Sequence, residues 1–393
     1  APERPDRAEK DARGPAQHRG RPVTAPPDTP GGAAGPSTRV DGPGTAAVDV
    51  AIHPEGGPDA AYLALVEQVR AEGLLERPAH TEVSRVALGA VLLVAGWVLF
   101  ALLGNSWWQV ATAVLLAAGF GQAGFLAHDA GHRQLSPSRR HNDVIGLLAG
   151  NLAIGLSYGW WVDKHNRHHG HPNEIGRDPD VVLGAIAWTP EQVDQASARL
   201  PALGLLARYQ AWAFVPLLFL EALNLHVSSV RAFANPALRY RKTGIALLAL
   251  HAVVLVSVAF LVLSPLRAVV FLLVLQGLLG VYLGCAFAPN HKGMPLVGPR
   301  DRADFLRRQV VASRNVRGGR LVDLALGGLN YQIEHHLFPA MPMGNLHAAQ
   351  PAVRALCAEH GIPYRERTLL QSYAETLTYL HGVGATARAR PGR

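Results

Sequence analysis

Residues 107–132 read WWQVATAVLLAAGFGQAGFLAHDAGH. From 107 to 127 the stretch is apolar over about the 20 residues that a helix needs to cross a bilayer core. It holds no Asp, Glu, Lys or Arg, and it runs without a break into His128-Asp129-Ala130-Gly131-His132. If the helix continues, each residue turns about 100°, so His128 and His132 lie about 40° apart and one turn apart. Imidazoles so placed can close on one metal ion with bonds of about 2.0–2.1 Å. The span delivers a histidine pair at its own end.

Three more runs are long and apolar enough to span, at 86–103, 245–263 and roughly 268–287. Only Gly104-Asn105-Ser106 separates the first two runs, and only Ser264-Pro265-Leu266-Arg267 the last two. They read as two helical hairpins. Two shorter apolar stretches, 144–159 and 211–225, are expected to lie in the interface or to dip in. The fold class is therefore an all-α integral membrane protein. It has four transmembrane helices in two hairpins, interfacial helices, and a cytoplasmic cap that carries the histidines. The loop from 128 to 244 carries Arg133, Arg139, Arg140, Lys164, Arg167, Arg177, Arg231, Arg241 and Lys242, while the hairpin tips carry at most Arg267. The positive-inside rule places that loop and both termini in the cytoplasm. Trp107-Trp108 and Trp160-Trp161 read as interfacial aromatics.

Composition agrees. The 393-residue chain is 49% hydrophobic and only 17% charged, below the usual quarter for soluble domains. Two cysteines exclude a disulfide framework, a Cys-ligated iron–sulfur cluster and a Cys-type zinc site. The net charge of +8 is spread without the dense basic block of a nucleic-acid binder. Positive charge is nearly all arginine, with four lysines, which fits a high-GC bacterial genome. Residues 1–61 contain no Phe, Trp or Tyr and are rich in Pro and Gly, so they read as disordered, without an apolar signal segment. Residues 62–385 form the membrane domain, and 386–393 a basic disordered tail.

Eighteen histidines are the anomaly. A second cluster, His165-Asn166-Arg167-His168-His169, has members at i, i+3 and i+4, an arc of about 100° on a helix. A third, Gln332-Ile333-Glu334-His335-His336, repeats the adjacent pair. Adjacent helical residues diverge by about 100°, so one ion does not easily take both rings, whereas two neighbouring ions can each take one. His291 stands just past the fourth span, at the same depth and on the same face. His18, His53, His80, His226, His251, His347, His360 and His381 stand singly and read as ordinary polar residues; His141 and His171 sit near the clusters outside their spacing. Imidazole suits Zn, Cu, Fe and Ni. One catalytic zinc needs three protein ligands, fewer than are present, and no His-Glu-x-x-His occurs. Two redox metals in an apolar surround point to oxidation of a lipid by dioxygen.

At these residues the sequence resembles the membrane fatty acid desaturases of the three-histidine-box superfamily, in the branch whose third box begins with Gln. The resemblance runs from about 65 to 379. It implies a non-haem di-iron centre that uses O2 to remove two hydrogens from an acyl chain, leaving a cis double bond. It implies His128, His132, His165, His168, His169, His291, His335 and His336 as ligands of the two irons. Gln332 occupies a position that is histidine in other branches, as a ligand or a hydrogen-bonding neighbour. Asp129, Asp163, Asp178 and Asp180 are candidates to orient imidazole N–H groups. The substrate would be a fatty acyl group linked to CoA, lipid or a carrier protein. Gln-type members often carry a fused cytochrome b5 domain, which this sequence is not expected to contain; His53-Pro54-Glu55-Gly56-Gly57 only superficially matches its haem motif. Electrons are then expected from a ferredoxin with an NAD(P)H reductase. By family analogy the Gln box leans towards insertion between an existing double bond and the carboxyl end.

Two other functions fit part of this pattern. A hydroxylase or ketolase acting on an acyl, sphingoid or carotenoid chain would share the boxes, because each outcome begins with hydrogen abstraction. A membrane metal-binding or transport protein would place polar ligands inside the spans, where His251 is the one histidine.

Overall fold

The computed structural model describes residues 57–77, 79–298 and 304–389. The disorder expected for 1–56, including His18 and the His53 motif, lies outside them, as do 390–393. In chain order the helices are α1 (Gly57–Ala71), α2 (Ala79–Leu103), α3 (Gln109–Gly131), α4 (Arg139–Gly146), a π-helix (Leu147–Ala153), α5 (Tyr158–Gly170), α6 (Pro190–Arg199), α7 (Pro201–Arg208), α8 (Gln210–Leu218), α9 (Glu221–Ala232), α10 (Arg241–Val262), α11 (Pro265–His291), α12 (Phe305–Val311), α13 (Arg320–Ala325), α14 (Gln332–Leu337), α15 (Leu346–Glu359) and α16 (Leu369–Ala389). Strands β1 (Asn315–Arg317) and β2 (Glu366–Thr368) pair in parallel. Two boundaries differ from expectation. Helix α1 begins inside the segment read as disordered, and α16 continues to Ala389 through part of the expected tail.

Among the described residues, α2, α3, α10 and α11 are the helices long and apolar enough to cross a membrane. They form the two expected hairpins. In α2 and α3, small residues let the backbones approach: a Cβ on Gly96 would lie 2.6 Å from Leu116, and one on Gly119 would lie 2.9 Å from Leu93. Gln109 closes the turn, donating to the carbonyls of Phe100 and Gly104, each at 2.8 Å. The hairpin tips meet, since Asn105 Oδ1 accepts from Ser264 N at 2.9 Å and its carbonyl from Arg267 at 3.1 Å. Protein buries 61% of the α3 span but only 11% of the α10 span, so α3 is the central helix and α10 mostly faces outward.

The two short apolar stretches are broken segments. The α4 and π-helix unit bends 112° into α5, and α8 bends 75° into α9. Helices α12, α14 and α15 and strand β1 share an apolar core that also takes Phe125 of α3 and Ala286 of α11, with Leu306, Val310, Ile333, Leu337 and Val353 fully buried.

The fourth span, read as ending near residue 287, runs on through Pro289 to His291 as α11. A proline within a helix leaves the carbonyl four residues earlier without its N–H. That carbonyl, Cys285 O, accepts from Tyr373 Oη at 2.8 Å. The proline is tolerated because α16 supplies the missing donor.

Candidate metal centre

Four elements converge where the spans end. The last turn of α3 brings His128 and, one residue beyond it, His132. Helix α5 brings His165, His168 and His169, α11 brings His291, and α14 brings His335 and His336. All eight histidines expected to act together do meet. Nitrogens of His128, His132, His165 and His335 lie within 4.8 Å of one another, as do those of His168, His291 and His336. In the second group His291 Nε2 stands 3.1 Å from His336 Nε2 and 3.4 Å from His168 Nε2. His169 lies between the groups, its Nε2 3.0 Å from His165 Nε2 and its ring stacked on His336 at 4.2 Å.

Ring orientation is set from behind. Asp178 holds His168 Nδ1 at 2.9 Å, and its carboxylate is itself fixed by the backbone N–H groups of Asn173 and Asp180. Asp129 meets His128 Nδ1 at 3.2 Å. The carbonyl of Ala312 accepts from His291 Nδ1 at 2.9 Å, and Gln309 Oε1 from His336 Nδ1 at 2.9 Å. A proton held on Nδ1 leaves the Nε2 lone pair for the interior of the cluster. Gln332 Nε2 is 2.9 Å from His291 Nε2, and Gln332 Oε1 accepts from Asn290 at 3.1 Å. Asp180 lies 3.5 Å from His168 Nδ1 and pairs with Lys164.

Asp163 is a correction. It is 67% exposed and pairs with Arg167 one turn away, because its position on α5 faces solvent. His171 pairs with Glu174 at 3.0 Å, and His141 is exposed. Trp161, read as an interfacial aromatic, stacks on His165 at 4.3 Å and 24°. Sequence reading missed Gln309 and the Ala312 carbonyl altogether. Neither carries a spacing signal, since each reaches its ring from a separate segment.

The donor set suits a metal. His132, His165, His169, His335 and His336 are held well below the ordinary imidazole range, first by burial and then by neighbouring rings. They are therefore neutral, as ligation requires. Nε2 of His128 and His132, Nδ1 of His169 and both ring nitrogens of His335 are buried without a hydrogen-bond partner among the described residues. Buried polar atoms are normally paired, and ions seated among these nitrogens would supply what they lack.

An apolar groove of about 650 Å³ runs between α2, α3 and the π-helix. Ala90, Leu93, Leu126 and Leu148 line it, and it reaches Asp129, the residue that holds His128.

The sequence model of the fatty acid desaturase family matches residues 105–368. The chain is 33% identical over 288 residues to an acyl-lipid (9-3)-desaturase of Physcomitrium patens, covering 71% of this chain and 54% of that protein. It is 33% identical over 291 residues to a Δ8 fatty acid desaturase of Euglena gracilis, covering 71% and 68%. It is 30% identical over 295 residues to the Δ6 fatty acid desaturase fat-3 of Caenorhabditis elegans, covering 72% and 66%. The match thus spans little more than half of the first relative and about two thirds of the others. All three relatives are eukaryotic and lend nothing to a bacterial origin. With its matched region containing all eight clustered histidines, the chain belongs to the fatty acid desaturase family.

Proposed function

We propose that the protein introduces a cis double bond into a fatty acyl chain, at a centre of two non-haem irons that uses O2. The observation that carries this reading is the division of the imidazoles. The first box and His165 gather with His335, while His168 and His291 gather with His336, so two ions have separate nests. The irons would supply dioxygen activation. The chain's own residues supply the rest: imidazoles held in place by Asp129, Asp178, Gln309 and the Ala312 carbonyl. Gln332 lies beside the His291 nest, its amide nitrogen 2.9 Å from His291 Nε2 and its oxygen accepting from Asn290, which puts its amide next to the ligating nitrogen.

The acyl chain is placed in the groove beside α2, whose apolar walls suit methylenes and whose end lies behind His128. Desaturation breaks two C–H bonds and, with O2 reduced to two waters, consumes two further electrons and two protons. A ferredoxin with an NAD(P)H reductase would supply these electrons. The carrier is a lipid, CoA or a carrier protein, and the relatives' names favour desaturation at a position set from the carboxyl end. The arginines of the 128–244 loop support a reading with the boxes and both termini on the cytoplasmic side.

The test is expression in a bacterial host with a matching electron donor, followed by gas chromatography and mass spectrometry of the fatty acid esters. A product about two mass units lighter is expected, by loss of two hydrogens. A product gaining oxygen, or an active preparation holding zinc and no iron, would overturn the reading.

A further inference from the structure

A second group of polar side chains gathers at the elbow between the π-helix and α5. Backbone that leaves helical geometry within a bilayer must find hydrogen-bond partners in the protein. The elbow lies beside His251, midway along α10, and its backbone is supplied from α9 and α10. His251 Nδ1 meets the Leu152 carbonyl at 3.0 Å, and His226 Nδ1, from α9, meets the Gly155 carbonyl at 2.8 Å. The other nitrogen of His226, Nε2, lies 3.0 Å from the amide oxygen Oε1 of Gln276, from α11. Ser229 accepts from Ser157 N at 2.9 Å, and Asn151 accepts from Tyr158 N at 3.0 Å. Gly155 turns at φ +72°, and a Cβ there would lie 2.5 Å from the His251 ring. The elbow and the two rings are thus built against one another.

We propose that His226 and His251, read from the sequence as ordinary polar residues, are positioning residues for the second histidine box. They latch the carbonyls of Gly155 and Leu152 and so fix the start of α5. Ten to fourteen residues after Gly155, that helix delivers His165, His168 and His169. Each imidazole donates one hydrogen bond to a carbonyl, so an asparagine able to donate an N–H should replace it in kind, whereas a leucine of similar bulk should not. The inference rests on the second box being a set of metal ligands, as proposed above.

The test compares the full-length wild type with His226→Leu/His251→Leu and His226→Asn/His251→Asn, all recovered intact in lipid nanodiscs. Two readouts are taken: iron affinity, and hydrogen exchange of residues 158–170 in metal-free protein. In the leucine pair, exchange in that segment should rise, and iron affinity should fall about tenfold, the lower end for groups that orient ligands. The asparagine pair should restore both. Unchanged exchange and affinity in the leucine pair would overturn the latch, as would equal losses in both pairs, which would show that ring packing matters and the bonds do not. A wild type that binds no iron would sink the proposed function, while the exchange readout would still decide the latch.

Discussion

His335 and His336 are neighbours in the chain, yet their rings stand at 90° with centroids 6.0 Å apart. The His335 ring lies 4.8 Å from those of His128 and His132, whereas His336 Nε2 meets His291 Nε2 at 3.1 Å. The helical turn of about 100° per residue thus sends adjacent imidazoles into different halves of the cluster. The two variants should therefore differ. His336→Ala leaves the four-histidine group intact and should retain about one iron of an expected two. His335→Ala should weaken the opposite half. Both should lose desaturation. Metal analysis with Mössbauer spectroscopy of iron-57 protein separates them; identical spectra from the two variants would refute two distinct nests.

Asp178 and Asp163 make a paired prediction. Asp178 is buried and holds His168, whereas Asp163 is exposed and meets only Arg167 among the hydrogen bonds of the described residues. Asp178→Asn should lower metal affinity about 10–100-fold, the range for carboxylates that orient ligating histidines. Asp163→Asn should leave it unchanged. Competition with a chromophoric chelator measures both, and equal affinities for the two variants would remove Asp178 from the site.

The spans and boxes were legible because each is periodic or contiguous in the sequence. Twenty apolar residues announce a span, and histidines at i and i+4 announce a shared helical face. Gln309 was not legible, since one glutamine in a polar stretch carries no pattern until α12 is folded against α14. The end of α11 was misread for a related reason. The donor that rescues the helix at Pro289 is Tyr373, 88 residues from the carbonyl it serves. His251 looked like a lone polar residue in a span, because its partner is a backbone carbonyl, and carbonyls leave no trace in a sequence. Asp163 erred in the other direction: closeness to a box in sequence does not decide which side of the helix a residue faces.

A pH effect follows from the buried Arg314. Its side chain is 0% exposed, and it donates to the Pro289 carbonyl at 2.8 Å and to Glu375 at 2.7 Å, tying α16 to the end of α11. Burial acts to raise the Glu375 carboxyl, but the Arg367 hydrogen bond and the Arg314 charge outweigh it and hold it below the ordinary value. A carboxyl lowered in the folded state adds stability that is present above its unfolded pKa and lost as pH falls through the folded one. Thermal stability in detergent should therefore fall as pH drops below about 4.5, and Glu375→Gln should flatten that part of the profile. A variant that keeps the full acid slope would assign it to other groups.

The groove beside α2 gives the last prediction. Ala90 is an exposed wall residue, away from every imidazole contact described above, and the cavity it lines is about 650 Å³. An indole at this position should fill part of that space without disturbing the metal ligands, since Ala90 lies on α2, which contributes none of them. If the acyl chain lies in the groove, Ala90→Trp should keep its iron and spectrum but lose turnover on long chains before short ones. Desaturation assays across a series of chain lengths, with iron content measured on the same preparations, would show the shift. A product profile and rate matching wild type at every length would mean that the chain lies elsewhere and that this groove holds only bilayer lipid.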